Sequence, residues 1–149
     1  MSANNELYQQ VILDHNKQPR NYGELVDRTH HAEGYNPLCG DHIWVSLKMD
    51  NDAVQDVQFS GDGCAICKAS ASMMTTIVKG KQKQDVNMIF KEFIAMVKGE
   101  LNPEKDEHHL GKLQLFSGIW QYPSRVKCAA LAWHTLNGAF ENVESVSTE

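Results

Sequence analysis

An alternation over residues 43–49, in which aliphatic side chains and methionine alternate with Trp44, Ser46 and Lys48, most constrains the fold of this chain. Its apolar members are Ile43, Val45, Leu47 and Met49. A period of two predicts a β-strand with one buried face. Asp-Asn-Asp at residues 50–52 is a turn signal, and the alternation returns at Val57 and Phe59. The two segments therefore predict an antiparallel hairpin.

Helical periodicity marks four other segments. The predicted helices cover residues 7–17, 64–79 and 86–97, and a last helix begins after Pro123, with Ser124 as its cap, and runs to Phe140. A proline or glycine lies close to one end of each predicted helix. Pro19, Gly80 and Gly99 follow the ends of the first three, and Pro123 precedes the start of the last. Strands early in the chain followed by helices are typical of an α+β domain. We therefore predict an antiparallel sheet of about three strands with helices packed on one face.

The length of 149 residues suits one domain spanning residues 1–149. We expect polar, flexible tails at about residues 1–5 and 142–149. Residues 99–112 form a polar connector without apolar periodicity, which predicts a solvated loop or a lid.

The composition argues against several classes of partner. Lys and Arg number 14 against 19 Asp and Glu, and no basic run is present, so we expect no nucleic-acid partner. The apolar runs are short and the N-terminus lacks the features of a signal peptide, so we expect no membrane segment. These features predict a cytoplasmic protein, where cysteines serve as thiols, ligands or nucleophiles rather than disulfides.

The sequence GDGCAICKAS contains Cys64 and Cys67 in a C-x-x-C arrangement. A redox dithiol would favour a βαβ context, whereas this pair follows a predicted hairpin. A zinc finger would need a second close pair of ligands, and the sequence has none at suitable spacing. The adjacent histidines at residues 30–31 and 108–109 lie in polar segments and are interpreted as solvated.

A different grouping explains the cysteines better. Cys39, Cys64 and Cys128 each stand where a predicted strand or helix begins, in NPLCGD, GDGC and YPSRVKC. Helix N-termini favour the thiolate form that binds metal or attacks sulfur. Asp41 follows Cys39 by two residues, and three sulfurs with one carboxylate suit zinc or an iron–sulfur cluster.

The charge of such a site needs compensation. Three thiolates and a carboxylate carry four negative charges, of which a zinc ion neutralises two. Arg125 and Lys127 flank Cys128 at a helix start, where the helix dipole slightly disfavours cations. Their position there favours a role in the site over ordinary surface charge.

Together these residues resemble the IscU/SufU-type iron–sulfur cluster assembly proteins, also called NifU N-terminal-like. The resemblance runs through LYQQVILDHNKQPRNYG, NPLCGD, GDGCAICKASASMMTTIVKGK and SRVKCAALAW, and so covers almost the whole chain. It implies a SufE/NifU-like fold, with the cysteines clustered at one end of the sheet. It also implies one IscU/SufU-like domain.

Two features indicate the SufU branch of this family. Lys127 occupies the position at which IscU scaffolds have histidine, and the segment GKLQLFSGIWQYPSRVKC precedes the third cysteine. The resemblance implies zinc bound by Cys39, Asp41, Cys64 and Cys128, with sulfur received from a SufS-type cysteine desulfurase. Arg125 matches an arginine of the SufU motif.

Cys67 departs from the serine that the family pattern has three residues after the helix cysteine. We interpret it as a small buried apolar side chain. A spare ligand and a resolving thiol are the alternatives.

The main hypothesis is a zinc-dependent sulfurtransferase. Cys39 is the expected sulfur acceptor, because a loop next to glycine moves more readily than a helix. A residue of the desulfurase, for example a histidine, would replace Cys39 as a ligand. The persulfide would then pass to a downstream iron–sulfur scaffold or an apo-protein acceptor.

Two alternatives remain open. In the first, the protein is a non-enzymatic scaffold on which Cys39, Cys64 and Cys128 hold iron or a [2Fe-2S] cluster. In the second, the zinc site is purely structural.

Overall fold

The computed structural model describes residues 2–148, and the side chains of residues 6–148. Within these residues the chain forms four α-helices, two short 3-10 helices and four strands. In chain order these are α1 (Ser2–Lys17), β1 (His30–Asn36), β2 (Asp41–Asp50), β3 (Ala53–Asp62), α2 (Ala65–Val78), α3 (Lys83–Val97), the 3-10 helices Gly111–Phe116 and Ile119–Gln121, α4 (Pro123–Phe140) and β4 (Ser145–Ser147).

The strands form one mixed sheet in the order β3-β2-β1-β4. The predicted hairpin is β2–β3, with Val45 opposite Phe59 and Leu47 opposite Val57. β1 pairs antiparallel with β2, and β4 pairs parallel with β1. The α+β prediction is confirmed, although the sheet has four strands and is not purely antiparallel.

The first strand was not predicted from the sequence. The residues of β1 that face the helices include the small residues Ala32 and Gly34, so β1 shows no apolar alternation. The reason is the close approach of α4, because a Cβ on Gly34 would collide with the hydroxyl of Thr135 and meet Leu131. Only small residues fit under the helix at this point.

The C-terminal segment of residues 142–149, for which we predict a flexible tail, contains the short strand β4. The chain reverses at Asn142, whose φ of 58° is left-handed, and Ser145–Ser147 then pair with Glu33–Tyr35. Val146 packs against Gly138 of α4. A Cβ on Gly138 would lie 2.6 Å from the side chain of Val146. At the other end α1 already begins at Ser2, within the predicted tail of residues 1–5, while Met1 and Glu149 lie outside the described residues.

The helices cover the face of the sheet that carries Gly34 and Ile43. α4 lies across β1 and β2 and also packs against α2 and α3. Trp133 of α4 is fully buried and stacks on Phe93 of α3 with ring centroids 5.0 Å apart. Burying a large apolar side chain of this kind contributes roughly 1.5–3 kcal/mol. This core fixes the start of α4, and with it Cys128, relative to the sheet.

The opposite face of the sheet remains partly exposed, with Trp44 and Tyr35 on its surface. Trp44 stacks on His42 at a centroid distance of 4.2 Å. None of the helices formed by residues 2–148 combines the length and the apolar character needed to cross a membrane.

Candidate metal centre

Cys39 lies in the short loop that joins β1 to β2. Asn36 pairs with Asp41 across the base of this hairpin, so residues 37–40 form its tip. Gly40 has a φ of 74°, a left-handed conformation that glycine adopts without strain. The Cys39 side chain is exposed at this tip, which places one thiol of the site in contact with solvent.

Asp41 is the first residue of β2 and is fully buried. Its Oδ1 accepts the backbone N–H of Cys64 at 2.8 Å. Its Oδ2 accepts the side-chain amide of Asn36 at 3.2 Å. These two hydrogen bonds fix the carboxylate at the edge of the sheet from which β2 starts.

Cys64 caps the N-terminus of α2, directly after β3. Its backbone is extended, and its sulfur accepts the N–H of Cys67 at 3.4 Å. A side-chain acceptor at this position satisfies one of the free N–H groups of the first helical turn. The capping interaction therefore determines where the Cys64 sulfur lies.

Cys128 lies near the start of α4 and is only 3% exposed. Its thiol donates to the Cys39 sulfur at 3.4 Å, and the Asn36 amide donates to the Cys128 sulfur at 3.7 Å. Residues 89 positions apart in the sequence thus come into direct contact.

Three of the four predicted ligands converge. The ligand atoms of Cys39, Asp41 and Cys128 all lie within 4.8 Å of one another. Tetrahedral zinc holds sulfur at about 2.3 Å and oxygen at about 2.0–2.2 Å, which separates neighbouring ligands by roughly 3.5 Å. The two sulfurs and one oxygen therefore fit a single ion after small side-chain movements.

Cys64 is adjacent to this group but not within it. Its backbone N–H contacts Asp41, and its sulfur interacts with Cys128. The neighbouring Cys128 side chain lowers the pKa of Cys64 to about 7, and the hydrogen bond from the Cys67 N–H acts in the same direction. The same contact is the largest cause of the raised pKa of Cys128, followed by burial.

Asn36 is a site residue that the sequence reasoning missed. It is completely buried, and its amide holds both Asp41 and Cys128. Its Oδ1 has no hydrogen-bond partner among the described residues. The one sequence feature that could have identified Asn36 was its place in NPLCGD, the segment that contains the predicted ligands Cys39 and Asp41.

Gly63 permits the close packing of this centre. A Cβ on Gly63 would lie 2.9 Å from Asp41 Oδ1 and 3.2 Å from Cys67 Sγ. Any larger residue would have to displace the carboxylate or the thiol. The glycine before Cys64 is therefore required by the approach of β2 to α2.

Arg125 lies on the exposed first turn of α4, with its guanidinium 4.6 Å from the centre of the Tyr122 ring. It also acts electrostatically on the half-buried Tyr8. The pKa of Tyr8 is raised, mainly by burial. The positive charge of Arg125 opposes this change, and the nearby Cys64 adds to it. Arg125 and Cys64 thus both influence Tyr8 of α1, and Arg125 is not among the described residues that contact the ligand group.

The remaining candidates are not part of the group formed by Cys39, Asp41 and Cys128. Cys67 is fully buried, as its interpretation as an apolar side chain requires, and burial raises the pKa of its thiol. His108 contacts the Pro103 carbonyl at 2.9 Å, and His109 contacts Glu92 at 3.0 Å. These histidines support the connector between α3 and the 3-10 helices.

The sequence of this chain is similar to those of a zinc-dependent sulfurtransferase and an iron-sulfur cluster assembly scaffold protein. The chain is 43% identical over 130 residues to the zinc-dependent sulfurtransferase SufU of Bacillus subtilis, covering 87% of this chain and 86% of that protein. It is 40% identical over 141 residues to the iron-sulfur cluster assembly scaffold protein IscU of Streptococcus pyogenes, covering 95% of this chain and 87% of that protein.

Solved structures share the fold. A crystal structure from Fervidobacterium islandicum, described as a candidate iron-sulfur cluster assembly scaffold protein for the SUF system, superposes with a TM-score of 0.79 at 34% identity. The match covers 87% of this chain and 93% of that one. The sequence pattern of the NifU-like N terminal domain matches residues 7–129, a segment that includes all four cysteines. The chain therefore belongs to the family of NifU-like N-terminal domains.

Proposed function

We propose that this protein is a zinc-dependent sulfurtransferase of iron–sulfur cluster assembly that accepts persulfide sulfur from a SufS-type cysteine desulfurase. One observation carries the proposal. Cys39 is an exposed thiol on a hairpin tip, yet its sulfur touches the buried Cys128 within a cluster that also contains Asp41. A sulfur acceptor needs both an accessible sulfur and surroundings that stabilise its thiolate.

Cys39, Asp41, Cys64 and Cys128 would hold the zinc ion. When bound, the ion would keep its sulfur ligands deprotonated and neutralise part of their negative charge. The donor set fits this role, because a buried carboxylate and two sulfurs already share one small volume.

The mobility of the ligands differs in a way that favours Cys39 as the acceptor. Asp41 is fixed by two hydrogen bonds, Cys64 by its helix cap and Cys128 by burial in α4. Cys39 lies beside Gly40, and a Cβ on that glycine would meet no atom within 4 Å. The loop therefore has free space in which Cys39 can turn outward to a docked partner.

The transfer itself is thiol exchange. The Cys39 thiolate attacks the terminal sulfur of the desulfurase persulfide, forming a new S–S bond while the desulfurase cysteine leaves as a thiolate. The proton of the persulfide remains on the transferred sulfur, and no net oxidation occurs. A thiolate on a downstream scaffold or apo-protein acceptor would then attack the terminal sulfur of the Cys39 persulfide. Four free thiols suit the reducing cytosol, where we place this reaction.

Persulfide mapping tests the proposal. The purified protein is incubated with a SufS-type desulfurase, cysteine and an alkylating reagent that traps persulfides, and the modified residue is identified by mass spectrometry. We expect the label on Cys39, its loss in Cys39→Ser, and its retention in the matched control Cys67→Ser. A label that persists in Cys39→Ser would overturn the assignment.

An IscU-like scaffold is the second candidate, because the same thiols and carboxylate also suit a [2Fe-2S] cluster and the Streptococcus pyogenes relative is named a scaffold. Metal analysis of freshly isolated protein separates the two functions. Stoichiometric zinc with no visible absorption supports sulfur transfer. Brown protein containing iron and sulfide supports the scaffold.

A further inference from the structure

Cys67 has no part in the proposed function, yet its position is unusual for a structural thiol. It lies one turn into α2 and is fully buried. A Cβ on Gly63 would meet both the Cβ and the sulfur of Cys67 at 3.2 Å. The side chain therefore points back toward the start of the helix, the direction in which helical side chains lean.

Cys64 lies at the same end of the helix. Because it caps α2 in an extended conformation, its sulfur folds over the first turn and accepts the Cys67 N–H at 3.4 Å. One partly exposed thiol at a helix N-terminus and one buried thiol three residues later are the arrangement of C-x-x-C dithiols in thiol–disulfide exchange.

We propose that Cys64 and Cys67 are a dithiol–disulfide pair, and that closing the disulfide removes Cys64 from the metal-binding set. The bond itself needs no metal. Only the effect on metal binding depends on the ligand set named under the proposed function.

The chemistry balances with a small disulfide such as oxidised glutathione as the oxidant. The Cys64 thiolate attacks one sulfur of the oxidant, forming a mixed disulfide and releasing one thiolate. Cys67 then gives up its proton to the solvent and attacks the Cys64 sulfur, releasing the second thiolate. Two protein thiols are oxidised by two electrons, and one external disulfide is reduced to two thiols.

A competing disulfide is available in the same cluster. Cys128 and Cys39 have their sulfurs 3.4 Å apart, and both are proposed ligands. Their bond would join a hairpin loop to α4, whereas the Cys64–Cys67 bond closes within one helical turn. The experiment must therefore distinguish these two products.

Thiol mapping in glutathione redox buffers provides the test. The full-length, metal-free protein is equilibrated at fixed ratios of reduced to oxidised glutathione, denatured, alkylated and digested with trypsin. Residues 49–68 form one tryptic peptide that contains Cys64 and Cys67 and neither of the other cysteines. We expect this peptide to lose the mass of two hydrogens and to take up no alkylating reagent.

The matched variant Cys67→Ser keeps the backbone N–H that caps Cys64. It should lack the internal bond and instead carry glutathione on Cys64. Wild-type protein in which this peptide is fully alkylated, or is joined to the peptide of Cys39 or Cys128, would overturn the proposal.

Zinc release tests the coupling separately. Zinc-loaded wild type and zinc-loaded Cys67→Ser are exposed to oxidised glutathione beside a chromogenic chelator. We expect several-fold faster release from the wild type, and equal rates would overturn the coupling. If Cys39 failed to accept sulfur, the result for the peptide of residues 49–68 would not change, so failure of the proposed function is distinguishable from failure of the redox pair.

Discussion

The buried carboxylate of Asp41 accepts the backbone N–H of Cys64 at 2.8 Å. This hydrogen bond joins the start of β2 to the start of α2. It brings a residue of the NPLCGD segment to the helix cap formed by the GDGC segment. The candidate metal centre is thus built into the junction of sheet and helix, so we expect its residues to contribute to the stability of the fold.

Asp41→Ala should destabilise the metal-free protein. The change leaves the Cys64 N–H and the Asn36 amide without their acceptor, which costs about 1–3 kcal/mol in the free energy of unfolding. Urea unfolding followed by circular dichroism measures the loss. Asp62→Ala, at the exposed end of β3, is the control and should change the free energy by no more than about 0.5 kcal/mol. Equal stability of the two variants would argue against a structural role for Asp41.

Asn36→Ala should weaken metal binding without removing a ligand. Asn36 orients Asp41 and Cys128 through its amide, and loss of such a supporting contact typically lowers metal affinity by about 10–100-fold. Competition with a chromophoric zinc chelator gives the affinity. Asn87→Ala on α3, a helix that carries none of the proposed ligands, should bind zinc like the wild type. An unchanged affinity in Asn36→Ala would show that the amide does not position the ligands.

Gly63→Ala should disturb the centre by crowding. The new methyl group would lie 2.9 Å from Asp41 Oδ1, and such overpacking costs about 1–3 kcal/mol. Gly118→Ala is the matched control, since a Cβ there meets no atom within 4 Å. We expect a lower melting temperature and weaker zinc binding for the first variant only. Comparable behaviour of both variants would mean that the junction relaxes without cost.

Two histidines should make the protein less stable in mild acid. Burial lowers the pKa of His15 and of His134 below the ordinary value of 6.5. The unfolded chain therefore takes up protons at a higher pH than the folded chain. Stability that is fully present above about pH 6.5 is lost as the pH falls through that value. Urea unfolding at about pH 7.5 and about pH 5.5 measures the slope.

Substitution identifies the groups responsible for this slope. His15 of α1 is half-buried, and its Nδ1 forms a hydrogen bond with the hydroxyl of Ser72 in α2 at 2.7 Å. His15→Gln should therefore reduce the loss of stability on acidification. His31→Gln, on the exposed side of β1, serves as the control. A slope that is the same in wild type and in His15→Gln would contradict the assignment.

The sequence predicted β2, β3 and the four α-helices, and it did not predict β1 or β4. In β2 and β3 large apolar side chains recur at every second residue. In the helices they recur every three or four residues, so both kinds of element show a clear period in the sequence. β1 buries Ala32 and Gly34 beneath α4, so its pairing follows from the shape of the helix above it and not from hydrophobicity. β4 depends on a short pairing with β1 that only the folded sheet provides.

The same distinction applies to the centre. Cysteines at the ends of elements predicted a shared site, and Cys39, Asp41 and Cys128 do converge. The only signal for Asn36 was its place in NPLCGD, because its contacts are with residues that are remote in sequence or across a turn. The position of Cys64 beside the cluster likewise follows from its helix cap, which periodicity alone does not specify.

X-ray absorption at the zinc edge tests the proposed ligand set, because it counts the sulfur ligands of the bound ion. We expect three sulfurs at about 2.3 Å and one oxygen at about 2.0–2.2 Å. The same shell is expected in Cys67→Ser. A shell with fewer than three sulfurs, or one that loses a sulfur when Cys67 is replaced, would contradict the assignment of Cys39, Asp41, Cys64 and Cys128 as the ligands.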